Sequence, residues 1–128
     1  MASSQPKPTA GELEILGVLW ECGPRSVREI QRELNKIKVT GYTTVLKLLQ
    51  IMTEKGLVTR DEKQRPQIYH SRYRREHTQR QLLHDLMQRA FGGSVKALVL
   101  QALAGRKSSR EELEEIEKLL DRIEGGNK

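Results

Sequence analysis

Apolar residues recur at helical spacing in six stretches of this chain and alternate as in strands in one region only, between residues 57 and 73. Thr9 and Glu12 have the spacing of a capping box ahead of LEILGVLW, so a first helix is expected from near Ala10. Leu13, Leu16, Leu19 and Trp20 give it one broad apolar face, and Gly23-Pro24 stops it. Ser26 and Glu29 repeat the capping box before a second helix. There Val27, Ile30 and Leu34 point inward while Arg28, Arg32 and Lys36 point out. NKIKVT connects to a third helix, TGYTTVLKLLQIMTEKG, with Thr40 expected as its N-cap and Gly56 at its C-terminal end. LVTRDE then reads as a strand and QIYHSRY as a second strand beyond the basic turn KQRP, with Val58 and Ile68 as the natural inward residues.

Three helices followed by a hairpin is the order of a winged helix-turn-helix. On the third helix Val45, Leu48, Leu49 and Met52 fall on one side, and Thr43, Lys47, Gln50 and Glu54 on the other, with Tyr42 and Thr44 flanking the first turn. The outer line offers hydroxyl, ammonium and amide groups first and its acid last. Such a face can hydrogen-bond base edges and phosphates. It can equally be the solvated face that every surface helix has; the hairpin behind it shifts the balance. Lys63 and Arg65 at the turn could lie along a phosphate backbone, contributing salt-dependent affinity rather than sequence reading. Arg72, Arg74 and Arg75 could continue that contact or simply solvate the exit from the second strand. The candidate DNA contacts are therefore Tyr42, Thr43, Thr44, Lys47 and Gln50 on the third helix, Arg25 and Arg28 around the start of the second, and Lys63 and Arg65 on the turn.

The second half carries three more amphipathic patterns. Leu82, Leu83, Leu86, Met87, Ala90 and Phe91 mark one helix ending at Gly92-Gly93. Val95, Leu98, Val99, Ala102 and Leu103 mark another, capped by Ser94 and ended by Gly105. Ser109 and Glu112 open the last, whose stripe is Leu113, Ile116, Leu119, Leu120 and Ile123. Three short helices bury too little apolar area to stand alone comfortably, which packing two copies together would solve. Packing back onto the first half is the alternative. A two-fold pair also suits a DNA reader, because one recognition helix spans only a few base pairs. Leu83, Leu86, Leu98, Val99, Leu113, Ile116 and Leu120 are the candidate dimerisation residues. The organisation expected is mainly α with a small β hairpin: a disordered tail over 1–8, a winged-helix DNA-binding domain over 9–75, and a helical dimerisation region over 76–124.

Charge sharpens this division. Of 128 residues, positions 1–80 hold 15 Lys/Arg against 9 Asp/Glu, and positions 81–128 hold 8 against 8, so the net charge of +6 falls entirely on the hairpin-bearing half. That is the distribution expected of a half facing a polyanion, although a basic face can also serve solubility. Cys22 is the only cysteine, which excludes an internal disulfide framework and a Cys-rich metal site; it reads as a buried thiol at the end of an apolar helix. No apolar run is long enough to span a membrane and the N-terminus does not resemble a signal peptide, so a soluble, cytoplasmic protein is expected, without membrane insertion. His70, His77 and His84 have no nearby cysteine or convincing acid–base partner, and the Gly-Gly pair lacks the features of a phosphate loop. No catalytic set, metal or cofactor is expected. A winged-helix protein–protein adaptor, with the acidic run EELEEIE as its surface, is the rival reading. The placement of the positive excess argues against it.

LEILGVLW with SVREI, GYTTVLKLLQIMTEKGLV, and above all FGGSVKALVLQAL followed by EELEEIEKLL together resemble the penicillinase-repressor family of bacterial winged-helix regulators, from about Thr9 to Ile123. The resemblance implies a homodimeric repressor holding a dyad of double-stranded operator DNA, with C-terminal helices interlocked with the partner chain. It places Thr43, Thr44 and Lys47 in the groove with Tyr42 adjacent, and Lys63 and Arg65 on the wing. In the resistance-gene members a membrane sensor protease triggers cleavage of an Asn-Phe bond in the helix after the Gly-Gly pair. The matching residues here are Gln101 and Ala102, a departure from that pattern, so the sensor protease is a partner implied by the resemblance alone. The copper-responsive members carry paired cysteines near the C-terminus, which this chain lacks.

Overall fold

The computed structural model describes residues 6–104 and 109–126. They form α1 (Ala10–Cys22), α2 (Val27–Asn35), α3 (Tyr42–Lys55), β1 (Val58–Asp61), β2 (Ile68–Ser71), α4 (Arg75–Ala90), α5 (Val95–Ala104) and α6 (Arg110–Gly126). The fold is mainly α with one antiparallel hairpin, as the periodicity predicts. Contacts divide the chain into two compact units, one up to Leu82 and one from Leu83 onward.

The first unit is built from local signals that agree with one another. Thr9 and Ser26 cap α1 and α2 through complete capping boxes with Glu12 and Glu29. Each box occupies N–H groups that have no partner inside the helix. The positive φ of 84° at Gly23 turns the chain out of α1, and its N–H donates to the Leu19 carbonyl. Gly56 ends α3 in the left-handed region, at φ 81° and ψ 17°. A side chain there would also come within 3.1 Å of Arg72 Nη1. Arg25 extends the hairpin by one position: its N–H donates to the Tyr69 carbonyl at 3.3 Å, and Tyr69 N–H donates back at 2.9 Å.

One core results. Ile15, Leu16 and Leu19 of α1, Val27, Ile30 and Leu34 of α2, and Val45, Leu49 and Met52 of α3 close over Leu57, Val58 and Tyr69. Each fully buried aliphatic side chain contributes about 1.5–3 kcal/mol of transfer free energy. Glu12 lies in this unit at 2% exposure. Its Oε1 accepts from Lys55 Nζ at 2.6 Å and from Thr9 N–H at 2.8 Å. Burial alone would raise the Glu12 carboxyl, but the Lys55 ammonium and the Thr9 N–H outweigh it and hold the group below the usual carboxylate range.

Several expectations need correction. The N-cap of α3 is Gly41, which offers no side-chain bond, because Thr40 turns its hydroxyl back to the Lys38 carbonyl at 3.1 Å. Thr40 instead anchors the turn, its N–H donating to Asn35 Oδ1 at 2.7 Å and its carbonyl accepting from Gln31 Nε2 at 3.2 Å. Val58 is an inward residue of the hairpin but Ile68 is not. Pairing of Arg60 with Tyr69 and of Val58 with Ser71 puts Tyr69 on the Val58 face, and Ile68, opposite Asp61, on the other. Both strands are also shorter than the alternation suggests. Cys22 is half-buried rather than buried. Of the tail expected over 1–8, residues 1–5 lie outside the described residues, Pro8 is buried, and the Lys7 carbonyl accepts from Lys55 Nζ at 3.2 Å.

The second unit holds the remainder of α4 with α5 and α6. α4 ends before Gly92 and Gly93, both at positive φ. Ser94 Oγ accepts from Ala97 N–H, and Ser109 Oγ from Glu112 N–H, each at 3.0 Å, so both expected caps are present. The expected end at Gly105 lies outside the described residues. No residue of α5 is buried, and Ile116 is the one residue of α6 between Arg110 and Ile123 that is even half-buried.

Candidate nucleic-acid interface

The N-terminal end of α3 differs from those of α1 and α2. With Gly41 as N-cap it has no side-chain cap, and its first turn holds no acidic residue, whereas α1 and α2 each carry a glutamate there. The free N–H groups and the positive end of the helix dipole are therefore open to an anion. Tyr42, Thr43, Thr44, Lys47 and Gln50 are all exposed on this helix. Hydroxyls, an ammonium and an amide thus run along about two turns without a carboxylate until Glu54.

α2 supports that end. The Arg28 guanidinium lies 5.0 Å above the Tyr42 ring, a cation–π contact joining the first turns of α2 and α3. Arg28, Arg32, Tyr42, Leu46, Pro66 and Gln67 line a groove of about 560 Å³ between these helices and the root of the hairpin turn. Arg32 and Gln67 are members that sequence reasoning did not select. Arg32 could have been found, since it lies one turn beyond Arg28 on the outward face of α2; Gln67 gave no local signal. Arg25 is half-buried, and its Nη1 donates to the Pro24 carbonyl at 2.8 Å.

The turn between the strands is ordered by Asp61, whose Oδ1 accepts from Lys63 N–H at 3.0 Å and whose Oδ2 accepts from Gln64 Nε2 at 2.9 Å. The Gln64 bond and then the Lys63 N–H hold the Asp61 carboxyl below its ordinary range, so it stays charged in this role. Arg65 Nη1 donates to the Glu62 and Gln64 carbonyls at 2.6 and 3.0 Å. Lys63 is exposed and forms no ion pair among the described residues. Glu62 is drawn toward Arg60, at 3.6 Å.

The remaining candidate residues fall elsewhere. Leu83, Leu86, Val99, Leu113 and Leu120 are exposed in the second unit, and Leu98 and Ile116 are half-buried. Gln101 and Ala102 are exposed on α5 within hydrogen-bonded helix. No group of three or more His, Cys, Asp or Glu among the described residues could hold a metal ion. His77 stacks on Tyr73 with ring centroids 5.1 Å apart, His70 is half-buried and His84 exposed. Among the described residues, no helix is long and apolar enough to cross a membrane.

A helix-turn-helix with a hairpin wing and a cationic, uncapped third helix defines a winged-helix protein. The family model described as penicillinase repressor matches residues 8–122, and the chain belongs to that family of transcriptional regulators rather than to an enzyme family. It is 23% identical to a penicillinase repressor of Staphylococcus aureus over 123 residues, covering 96% of this chain and 98% of the relative. It is also 23% identical to a penicillinase repressor of Bacillus licheniformis over 116 residues, covering 91% of each.

Proposed function

We propose that this protein is a cytoplasmic transcriptional repressor that binds a dyad DNA operator as a homodimer. The observation that carries this reading is the uncapped, acid-free start of α3, flanked by the Arg28–Tyr42 pair and followed by the exposed side chains of Thr43, Thr44 and Lys47. In this reading α3 enters the major groove, Thr43, Thr44, Lys47 and Gln50 meet base edges and nearby phosphates, and Tyr42 packs beside them under Arg28. Lys63 and Arg65 hold the backbone from the wing, and Arg25 and Arg28 hold it from the start of α2. Two such heads are joined through the second unit, whose exposed leucines and valines become the dimer seam. The winged-helix domain is read as residues 9–75 and the dimerisation region as 76–124.

Gel-shift titration against salt, on DNA selected from random sequence, tests this. A repressor of this type binds a dyad, and its affinity falls steeply as salt rises, because each neutralised phosphate releases counterions. Absence of preference for any DNA across a wide salt range would remove the reading and favour a protein-binding adaptor. The membrane sensor protease is no part of the proposal: Gln101 and Ala102 replace the Asn-Phe pair of the resistance-gene members, and a cut inside α5 would require the helix to open first.

A further inference from the structure

The groove between α2, the start of α3 and the root of the hairpin turn has walls of two kinds. One is apolar: Leu46 and Ile68, both half-buried, line it with Pro66. Ile68 is available there because pairing of Arg60 with Tyr69 keeps it off the core face. The other wall is cationic. Arg28 sits 5.0 Å above the Tyr42 ring, and Arg32 is exposed one turn further along the same face of α2. Neither guanidinium is within ion-pair distance of a carboxylate among the described residues. Glu29 is the one acid in the lining, and it is engaged: its Oε1 accepts from Ser26 N–H at 2.9 Å. That bond first, with Arg25 and Arg32 adding to it, holds the Glu29 carboxyl below the usual carboxylate range. Two guanidiniums against one carboxylate leave the groove with a net positive lining. Its volume of about 560 Å³ lies within the ~300–1,000 Å³ of small-ligand sites. A phosphate of DNA would use the guanidiniums alone; the apolar wall stabilises only a ligand that also brings hydrocarbon.

We propose that this groove is an effector site for a small organic acid, with the carboxylate held between Arg28 and Arg32 and a hydrocarbon body laid on Leu46, Pro66 and Ile68. Every residue it uses lies in the first unit. Occupancy and DNA binding exclude each other. The acid takes the Arg28 guanidinium assigned to the DNA backbone, and it sets a negative charge beside Tyr42 in the first turn of α3. This regulatory half rests on the reading of the chain as an operator-binding repressor; binding of the acid does not. It supplies a release from DNA that needs no cut in α5.

The test begins without DNA. The full chain, labelled with nitrogen-15, is titrated at constant ionic strength with hexanoate and phenylacetate, and in parallel with hexylammonium and inorganic phosphate. The two acids are expected to give saturable amide shifts gathered at residues 26–32, 42–46 and 67–69. Hexylammonium, with the same body and the opposite charge, should give none. Phosphate, an anion without a body, should bind at least about tenfold more weakly, as for two unburied methylenes. Arg32→Gln should weaken both acids about tenfold, the loss of one charged hydrogen bond, and Ile68→Ala about fourfold, the loss of one buried methylene. Ile68 lies outside the buried core, so its variant should fold. Absence of saturable shifts with both acids overturns the proposal. So does phosphate binding as tightly as the acids, the mark of a seat for DNA backbone only. In the second arm, hexanoate replaces chloride in gel shifts on the selected dyad. Operator affinity should fall in the parent and fall less in Ile68→Ala, whose affinity without acid is unchanged. Acid binding in the groove with operator affinity unaltered overturns the regulatory half. A parent that selects no DNA overturns the repressor reading, while the first arm still decides the site.

Discussion

The two units use the same kinds of residue to opposite ends. Up to Leu82, leucines, isoleucines and valines from three helices and the hairpin close on one another, and twelve hydrophobic residues form a buried core. From Leu83 onward the apolar stripes are as regular, yet Leu83 is 51% exposed, Leu120 56% and Ile123 62%. Contiguous exposed apolar surface on helices is costly in water and marks a surface made for association. The first unit thus covers its apolar stripes within itself, whereas Leu83, Leu120 and Ile123 of the second stand exposed, as the proposed dimer requires.

The largest effect should come from placing a charge in those faces. In the proposed two-fold dimer, Ile116→Asp introduces an unpaired carboxylate twice into the seam, and it should leave the protein monomeric by light scattering while the first unit keeps its melting transition. A mutant that stays dimeric would move the seam to another surface. Leu49→Ala probes the opposite side of the comparison. Leu49 is fully buried, and its truncation should cost the first unit about 2–5 kcal/mol in a denaturant melt. Little change there would mean that the core is less closely packed than it looks.

Lys55→Met leaves Glu12 buried without its cation and should cost about 2–3 kcal/mol, less than for a wholly buried pair because Lys55 is partly exposed. The pH dependence has a definite sign. The folded Glu12 carboxyl lies below its usual 4.5, so its contribution is present above that pH and is lost as pH falls through the folded value. Acid unfolding followed by circular dichroism should therefore shift to higher pH in Lys55→Met. The smallest effect is expected from Lys47→Ala, which points away from the core. Operator affinity should fall about tenfold, as for one lost charge-assisted contact, with the melting temperature unchanged. Equal affinity for parent and mutant would take α3 out of the groove.

Much of the first unit was legible in the sequence because its signals are local. The capping boxes at Thr9 and Ser26, the stop at Gly23-Pro24 and the left-handed Gly56 each depend on residues within one turn. The faces of α2 and α3 follow from the helical period alone. Thr40 misled because a threonine before a helix is a good N-cap by type, and only the folded turn shows its hydroxyl used elsewhere. Ile68 misled for a different reason. In strands of four residues, adjacent Ile68 and Tyr69 both look fit to face inward, and a one-residue choice of register reverses the face. The exposed line of the candidate site was visible in sequence, but the contact of Arg28 with Tyr42 and the inclusion of Gln67 were not.

By itself, then, the sequence determined the order of the elements, their apolar stripes, the polar side of α3 and the half of the chain that holds the positive charge. All of these follow from spacing along the backbone or from simple composition. Tertiary structure decided what spacing cannot encode: that Tyr69 and not Ile68 enters the core, that Lys55 reaches Glu12, and that Trp20 fastens Ser71 and Tyr73. Each depends on residues far apart in the chain meeting, or failing to meet, and helical or strand periodicity carries no information about which distant face a side chain will find.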